Sequence, residues 1–174
     1  MICITFNTLL FVSASHYNHL CSITLLGNLV NTPDIRYQAN PVIAVAELVI
    51  ATHSRWYDKN TKQYKEWTHY HTVKVIGDIV EQTLAHSQKG DVIFIQGHLL
   101  NSKTKQREII HATYAQTYKK GFARSINQIH CSGTITADFN VHLTEQNKEF
   151  AEINVQIDYA TFSPASKQFH HHSI

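Results

Sequence analysis

Gly77-Asp-Ile-Val-Glu-Gln-Thr-Leu-Ala-His-Ser-Gln-Lys-Gly-Asp-Val-Ile-Phe-Ile-Gln-Gly97 is the stretch that decides the fold. It carries a helical period in a chain otherwise patterned at period two, the mark of half-buried strands. Asp78 is placed to cap a helix, and Ile79, Val80, Thr83 and Leu84 recur at helical spacing. Lys89-Gly90 supplies a basic last turn and a glycine just past it. Val92 to Leu99 then reads as a strand. Before this stretch, Ile23 to Val30 is apolar around Gly27, and a glycine inside a strand suggests a bulge or sharp bend. Asn31 to Asp34 is a turn, and Ile43 to Ala51 is long enough for a fully buried strand. Arg55 to Lys65 is polar, with Asp58 to Thr61 as a hairpin tip, and Thr68 to Ile76 returns as a strand. After it, Asn101 to Arg107 is a short basic turn and Glu108 to Thr117 a last strand.

Three strands, a helix and two strands is the order of a five-stranded OB-fold barrel, an all-β architecture with one helix. A bent first strand fits, because a small barrel must curl its strands sharply. A second signal is an internal repeat. Ile23-x3-Gly27-x-Leu29 returns as Ile129-x3-Gly133-x-Ile135. With one residue of slip, Ala46 to Ile50 returns as Ala151 to Val155. The repeat spans roughly residues 126–160, the first half of a barrel, and half a barrel cannot bury its apolar face alone. The expected organisation is an N-terminal extension (1–19), the barrel (20–120), an additional C-terminal β segment that is a half-OB repeat (121–163) and a tail (164–174).

At 174 residues, 43% hydrophobic and 16% charged, the composition is that of a globular chain. No apolar run approaches the roughly 20 residues that span a bilayer, so no membrane partner is expected. Charge is uneven: Arg55 to Arg124 carries net +6, and Ser125 onward net −3. A basic middle suits an anionic partner. Cys3, Cys21 and Cys131 are an odd set without C-x-x-C spacing, which argues against a zinc ribbon or disulfide scaffold and for a reducing, cytoplasmic compartment. Ile2 to Val12 is apolar, and Val12-Ser-Ala14 resembles a signal-peptidase site, yet no Lys or Arg precedes it; an extra strand or loose extension is expected. No G-x-S-x-G, P-loop or H-E-x-x-H motif occurs, so the expectation is a binding protein without cofactor rather than an enzyme. His69 and His71 point to one face of their strand, but a third metal ligand at matching spacing is not evident, so no metal site is expected. His170, His171 and His172 sit at what reads as a frayed end.

Gly27-Asn-Leu-Val-Asn-Thr-Pro-Asp-Ile-Arg-Tyr37 resembles the opening of bacterial single-stranded DNA-binding proteins. Ala51-Thr52, Trp56, Asp58-Lys59, Thr68-His-Tyr-His71 and Gly77 follow at the family's spacing, and Lys89 to Leu99 resembles its fourth strand. The resemblance runs from about residue 20 to 103, and less closely to 118. It implies sequence-tolerant binding of single-stranded DNA in replication, recombination or repair, with bases stacked on Trp56 and Tyr70 and phosphates met by Arg36, Lys59, Lys89 and Lys103. It also implies a homotetramer with His71 near a subunit interface; the half repeat makes a dimer an equal expectation. Tyr70 and Ile76 stand where Trp and Phe are usual, the Asn101–Arg107 hairpin lacks an aromatic near Thr104, and Thr72 and Asp78 replace basic residues. Weaker or shorter-footprint binding follows from these departures. Trp67, Tyr57 and Tyr64, interleaved with Arg55, Lys62 and Lys65, are candidates to compensate, as is the cationic group Lys103, Lys105 and Arg107. The family's disordered linker and acidic tip have no counterpart here, so recruitment of partners by that route is not expected. The competing reading is an OB-fold scaffold that has lost strand binding and uses residues 125–163 for a protein partner.

Overall fold

The computed structural model describes residues 19–102, 107–121, 124–163, 166 and 168–174. The expected N-terminal extension, and Cys3 with it, lies outside these residues apart from residue 19, as do Lys103 and Lys105. Thirteen strands and one helical turn are present among the described residues. The first six strands are β1 (Cys21–Leu29), β2 (Asp34–Gln38), β3 (Ile43–Asp58), β4 (Gln63–Ile76), β5 (Val92–Ser102) and β6 (Arg107–Tyr118). β7 (Ile126–Cys131) joins them in one sheet ordered β2-β3-β4-β6-β5-β1-β7, and a further β1–β3 pairing closes β1, β3, β4, β6 and β5 into a five-stranded barrel. Inside it sit Leu25, Leu48, Ile50, Val73, Val75, Ile93 and Ile95, all fully buried. Removing a side chain of this size from water contributes roughly 1.5–3 kcal/mol.

Two elements differ from the sequence reading. The helix is one π-type turn, Val80–Leu84, without a side-chain cap from Asp78 and without a basic last turn. Only Val80 and Leu84 of that turn are buried, so one turn suffices to plug the barrel end. It is tied to β6 in both directions: the Thr83 side chain donates to the carbonyl of Ala115, and the Thr117 side chain of β6 donates to the carbonyl of Thr83. Asp34, read as the end of a turn, and the residues after it to Gln38, given no element by the sequence reading, form β2, paired along β3 from Asp34↔Glu47 to Gln38↔Ile43.

β1 shares one edge between two partners. Residues 21–26 pair with β7, and Asn28 and Leu29 pair with Ala51 and Ile50 of β3. Gly27 sits at the changeover, where a Cβ would collide with the carbonyl oxygen of Ala51 and come within 2.9 Å of Ile50 Cγ2. The β1–β7 pairing centres on Ile23↔Ile129, and these are equivalent residues of the internal repeat. The two copies are therefore joined by the same strand in antiparallel, an internal two-fold.

The repeat also runs further than the sequence pattern indicates. β8 (Thr134–Ile135) pairs with β11 (Val155–Gln156) as Ile135↔Val155, repeating Leu29↔Ile50. β9 (Asn140–Leu143) and β10 (Glu149–Glu152) pair from Asn140↔Glu152, repeating Asp34↔Glu47. β12 (Asp158–Ser163) and β13 (Gln168–Ser173) pair from Asp158↔Ser173 to Ser163↔Gln168, repeating His53↔Thr68 to Asp58↔Gln63. Residues 168–173 are thus a paired strand and not a frayed tail. Gly133 repeats Gly27: a Cβ there would collide with Val155 and approach the Gln156 carbonyl oxygen to 2.6 Å. The second copy has no described counterpart of β5 and β6. Consequently Ile129, Ile135, Ile153 and Val155 are 43–57% exposed, where their equivalents Ile23, Leu29, Leu48 and Ile50 are at most 4% exposed.

Gly27→Ala is expected to lower stability by about 1–3 kcal/mol, the cost of forcing an extra carbon into a packed site. A urea midpoint equal to that of the unaltered protein would show that β1 can shift away from β3.

Candidate nucleic-acid interface

Beyond the barrel rim, β3 and β4 continue as a two-stranded arm paired without interruption from Thr52↔His69 to Asp58↔Gln63. The tip is an Asx-type turn: Asp58 Oδ1 accepts from the backbone N–H groups of Asn60 at 2.9 Å and Thr61 at 3.4 Å, and Lys62 takes a positive φ of 53°. Lys65 pairs with Asp58, and this contact with the turn hydrogen bonds holds the carboxyl down at about 2.

Strand alternation sorts the arm's side chains onto two faces. Trp56, Lys65, Trp67, His69 and His71 lie on the face continuous with the barrel interior. Arg55, Tyr57, Tyr64, Glu66 and Tyr70 lie on the other. The four arm aromatics, and Tyr70 at its base where it pairs with Ala51, are all exposed, from 45% for Trp56 to 67% for Tyr70. Tyr57 and Tyr64 meet edge to face with centroids 5.3 Å apart, and the Arg55 guanidinium lies 4.3 Å over the Tyr64 ring. Arg55 also faces Glu66 at 3.6 Å. On the opposite face Trp67, His69 and His71 form a ladder of rings at 6.2 and 6.4 Å. Trp56 and Tyr70, each expected from the resemblance to stack a base, therefore stand on opposite faces, because Trp56 pairs with Lys65 and Tyr70 with Ala51.

The remaining candidates scatter. Arg36, on β2, is held by Asp34 through Nε at 3.0 Å and Nη2 at 2.5 Å. Lys89 lies in the turn whose Gly90 N–H donates to the carbonyl of Leu29, at the barrel end. Lys59 and Lys62 are at the arm tip. Arg107 donates from Nη2 to Thr72 Oγ1 at 3.0 Å, which ties β6 to the outer face of β4. His71 has its Nε2 2.9 Å from Thr52 Oγ1 of the same chain, and burial pushes its pKa down. Among the described residues no three His, Cys, Asp or Glu side chains are grouped to hold a metal ion, and no helix is long and apolar enough to cross a membrane.

The sequence model described as the single-strand binding protein family matches residues 20–118. The chain belongs to that family. Among solved structures it is similar to a deletion mutant of the single-stranded DNA-binding protein from Thermus aquaticus, at 24% identity and TM-score 0.65 over 88% of this chain and 74% of that one. The wild-type Thermus protein is 22% identical, with TM-score 0.63 over 89% and 73%. A Plasmodium falciparum SSB in complex with ssDNA is 25% identical over 62% of this chain and 100% of that one, with TM-score 0.49. At the Thermus identities the likeness is one of fold.

The family pattern did not mark two groups that the structure brings forward. Phe94 and Tyr114 meet edge to face on the outer surface of β5 and β6, with centroids 6.1 Å apart; their alternation with the buried Ile93, Ile95 and Ala115 was the available signal. The second group is the β12–β13 hairpin, the repeat's copy of the arm. Phe162 and Phe169 reproduce the Tyr57–Tyr64 pair, again edge to face at 5.3 Å. The shared Lys-Gln-aromatic triplets, Lys62-Gln-Tyr64 and Lys167-Gln-Phe169, carried that equivalence in the sequence. This hairpin places Tyr159 and His172 against His98 of β5, at 5.5 and 6.3 Å between ring centroids.

Burial, reinforced by the neighbouring His111 and His172, holds His98 down at about 4 against an ordinary 6.5. The unfolded chain takes up this proton at higher pH than the folded one. Stability is therefore fully present above about 6.5 and declines as the pH falls toward 4. His98→Phe is expected to flatten that decline in urea midpoints measured between these limits; an unchanged slope would place the titration elsewhere.

Proposed function

We propose that this protein coats single-stranded DNA with little regard to base sequence. Its proposed setting is replication, recombination or repair. The observation that carries this reading is the arm with its base: five exposed aromatic rings interleaved with Arg55, Lys59, Lys62 and Lys65 on one continuously paired hairpin. Such rings accept any base by stacking, at roughly 1–3 kcal/mol each, while cations follow the phosphates. Membership of the single-strand binding protein family supports it. The opposite placement of Trp56 and Tyr70 means that one strand reaches both by passing around the arm. Lys89 and Arg36 lie away from it and serve the ends of such a path, Arg36 only after exchanging Asp34 for a phosphate. Lys103 and Lys105, outside the described residues, are proposed as further phosphate contacts on their closeness to Arg107 in the sequence alone.

The proposal includes a homo-oligomer, with the open face of the second copy buried between subunits. In favour of this stands the exposure of Ile129, Ile135, Ile153 and Val155 at positions that are core in the first copy. The β1 edge is already occupied by β7, so association uses this face in place of that edge. Light scattering is expected to give a dimer or tetramer for the unaltered chain and a smaller species for Ile153→Asp. A monomer in both would remove oligomerisation from the proposal and favour a scaffold that holds another protein there.

Trp56→Ala and Tyr70→Ala are each expected to weaken binding of a labelled oligo-dT about 5- to 150-fold, from the stacking energies above. The double variant should show the product of the two, since the rings do not touch. The logarithm of affinity should fall with that of salt by about 0.7 per phosphate neutralised. Anisotropy unchanged in the double variant, with the fold intact by circular dichroism, would refute the arm as the binding surface.

A further inference from the structure

The β12–β13 hairpin does not lie flat on the barrel. Between it, the outer face of β4, β6 and β5, and the β2–β3 turn is a cavity of about 760 Å³, within the range of small-ligand sites. Apolar walls come from Val42, Ile76, Leu100 and Phe162, and polar groups from Lys74, His98, His111, Thr161 and His172. His98 and His111 lie side by side as a cross-strand pair, with ring centroids 5.0 Å apart. His98 is only 7% exposed, and its Nε2 and the Nδ1 of His111 are buried without a hydrogen-bond partner. An unpaired buried polar atom is costly and asks for a ligand or water.

We infer that this cavity is a pocket for one nucleobase of the bound strand, walled by Phe162 and Ile76, with the His98 and His111 rings turning to bring their covered, unpaired nitrogens onto the base edge. The inference rests on the proposed binding of single-stranded DNA. Tyr70, Thr72 and Lys74 share the outer face of β4, so a strand stacked on Tyr70 travels along that face to the pocket. Lys74 then stands at the phosphate. Asp78 and Glu81, which also line the cavity, make the far end anionic and turn the backbone away from it. Burial keeps both imidazoles neutral near pH 7, so each ring offers one donor and one acceptor nitrogen. That matches the mixed donor and acceptor edge of a base better than the acceptor-only surface of a phosphate. The arrangement depends on the second copy, because Phe162, Thr161 and His172 come from its hairpin.

The test follows the histidine C2–H resonances of the full chain, assigned with His98→Phe and His111→Phe. Titrants are dAMP, dTMP, inorganic phosphate and oligo-dT, with tryptophan quenching recorded in parallel. The expected result is a shift of the His98 and His111 resonances with both mononucleotides and with oligo-dT, and none with phosphate alone. Thr113→Phe, which narrows the cavity from an exposed position, should abolish those shifts. It should also reduce oligo-dT affinity about five- to tenfold while leaving the amplitude of quenching intact. Quenching by oligo-dT with both resonances unmoved would overturn the pocket and leave strand coating standing. Shifts with mononucleotides but no quenching would do the reverse. Equal shifts with phosphate would overturn the assignment of a base.

Discussion

Everything in this structure depends on how β1 divides its edge. A five-stranded barrel needs β1 to meet β3, and the second copy of the repeat needs β1 to meet β7. Both are met by one strand because Gly27 lets the backbone of β3 come to within the space a side chain would fill. Residues 21–26 then belong to the inter-copy sheet, and Asn28 and Leu29 close the barrel. An antiparallel pair of equivalent strands is the isologous contact of a symmetric dimer, here built inside one chain. Gly133 reproduces the device in the second copy, where Val155 and Gln156 occupy the places of Ile50 and Ala51.

This arrangement explains why the chain has two kinds of exposed apolar surface. On the first copy, five exposed aromatic rings gather on the β3–β4 hairpin. These rings have faces to offer a base, and cations stand between them. On the second copy the aliphatic residues Ile129, Ile135, Ile153 and Val155 are exposed, at positions whose equivalents form a dry core. Aliphatic side chains gain from burial against a protein surface, not from stacking. The two surfaces therefore differ in chemistry, planar rings among cations on the arm and aliphatic side chains on the open half-barrel. The acidic balance after Ser125 is consistent with that division, since a strand of phosphates would be repelled there.

The second hairpin modifies the first copy's surface as well. By setting Tyr159 and His172 on His98, it covers a part of β5 and β6 that a lone barrel would present to solvent. The histidine pair beneath it is buried, uncharged and incompletely paired, a condition the fold tolerates because the barrel core does not rely on it. Coverage by a hairpin with an edge-to-face Phe pair leaves room beside the contact, which is how a cavity arises on the outside of a barrel whose inside is filled.

Much of the first copy could be read in the residues alone. Alternation located the barrel strands, the Gly27 interruption marked the bend, and the order of elements specified an OB barrel. Family spacing placed Trp56, Lys59 and Tyr70 on the hairpin formed by β3 and β4, where the structure has them. What the sequence could not supply were distances between residues remote along the chain. The sheet register placed Trp56 and Tyr70 on opposite faces, although fourteen positions of apparent continuity link them. It carried the repeat through β13, where the apolar pattern has decayed and only Lys-Gln-aromatic survives. Asp78 had the right type and place to cap a helix, yet the turn Val80–Leu84 has Ile79 at its cap position and no side-chain cap, because tertiary burial of Val80 and Leu84 outweighs a cap. Local chemistry fixes what each segment prefers to be. Which segments meet, on which face, and what they leave uncovered was decided only when β1 found its two partners.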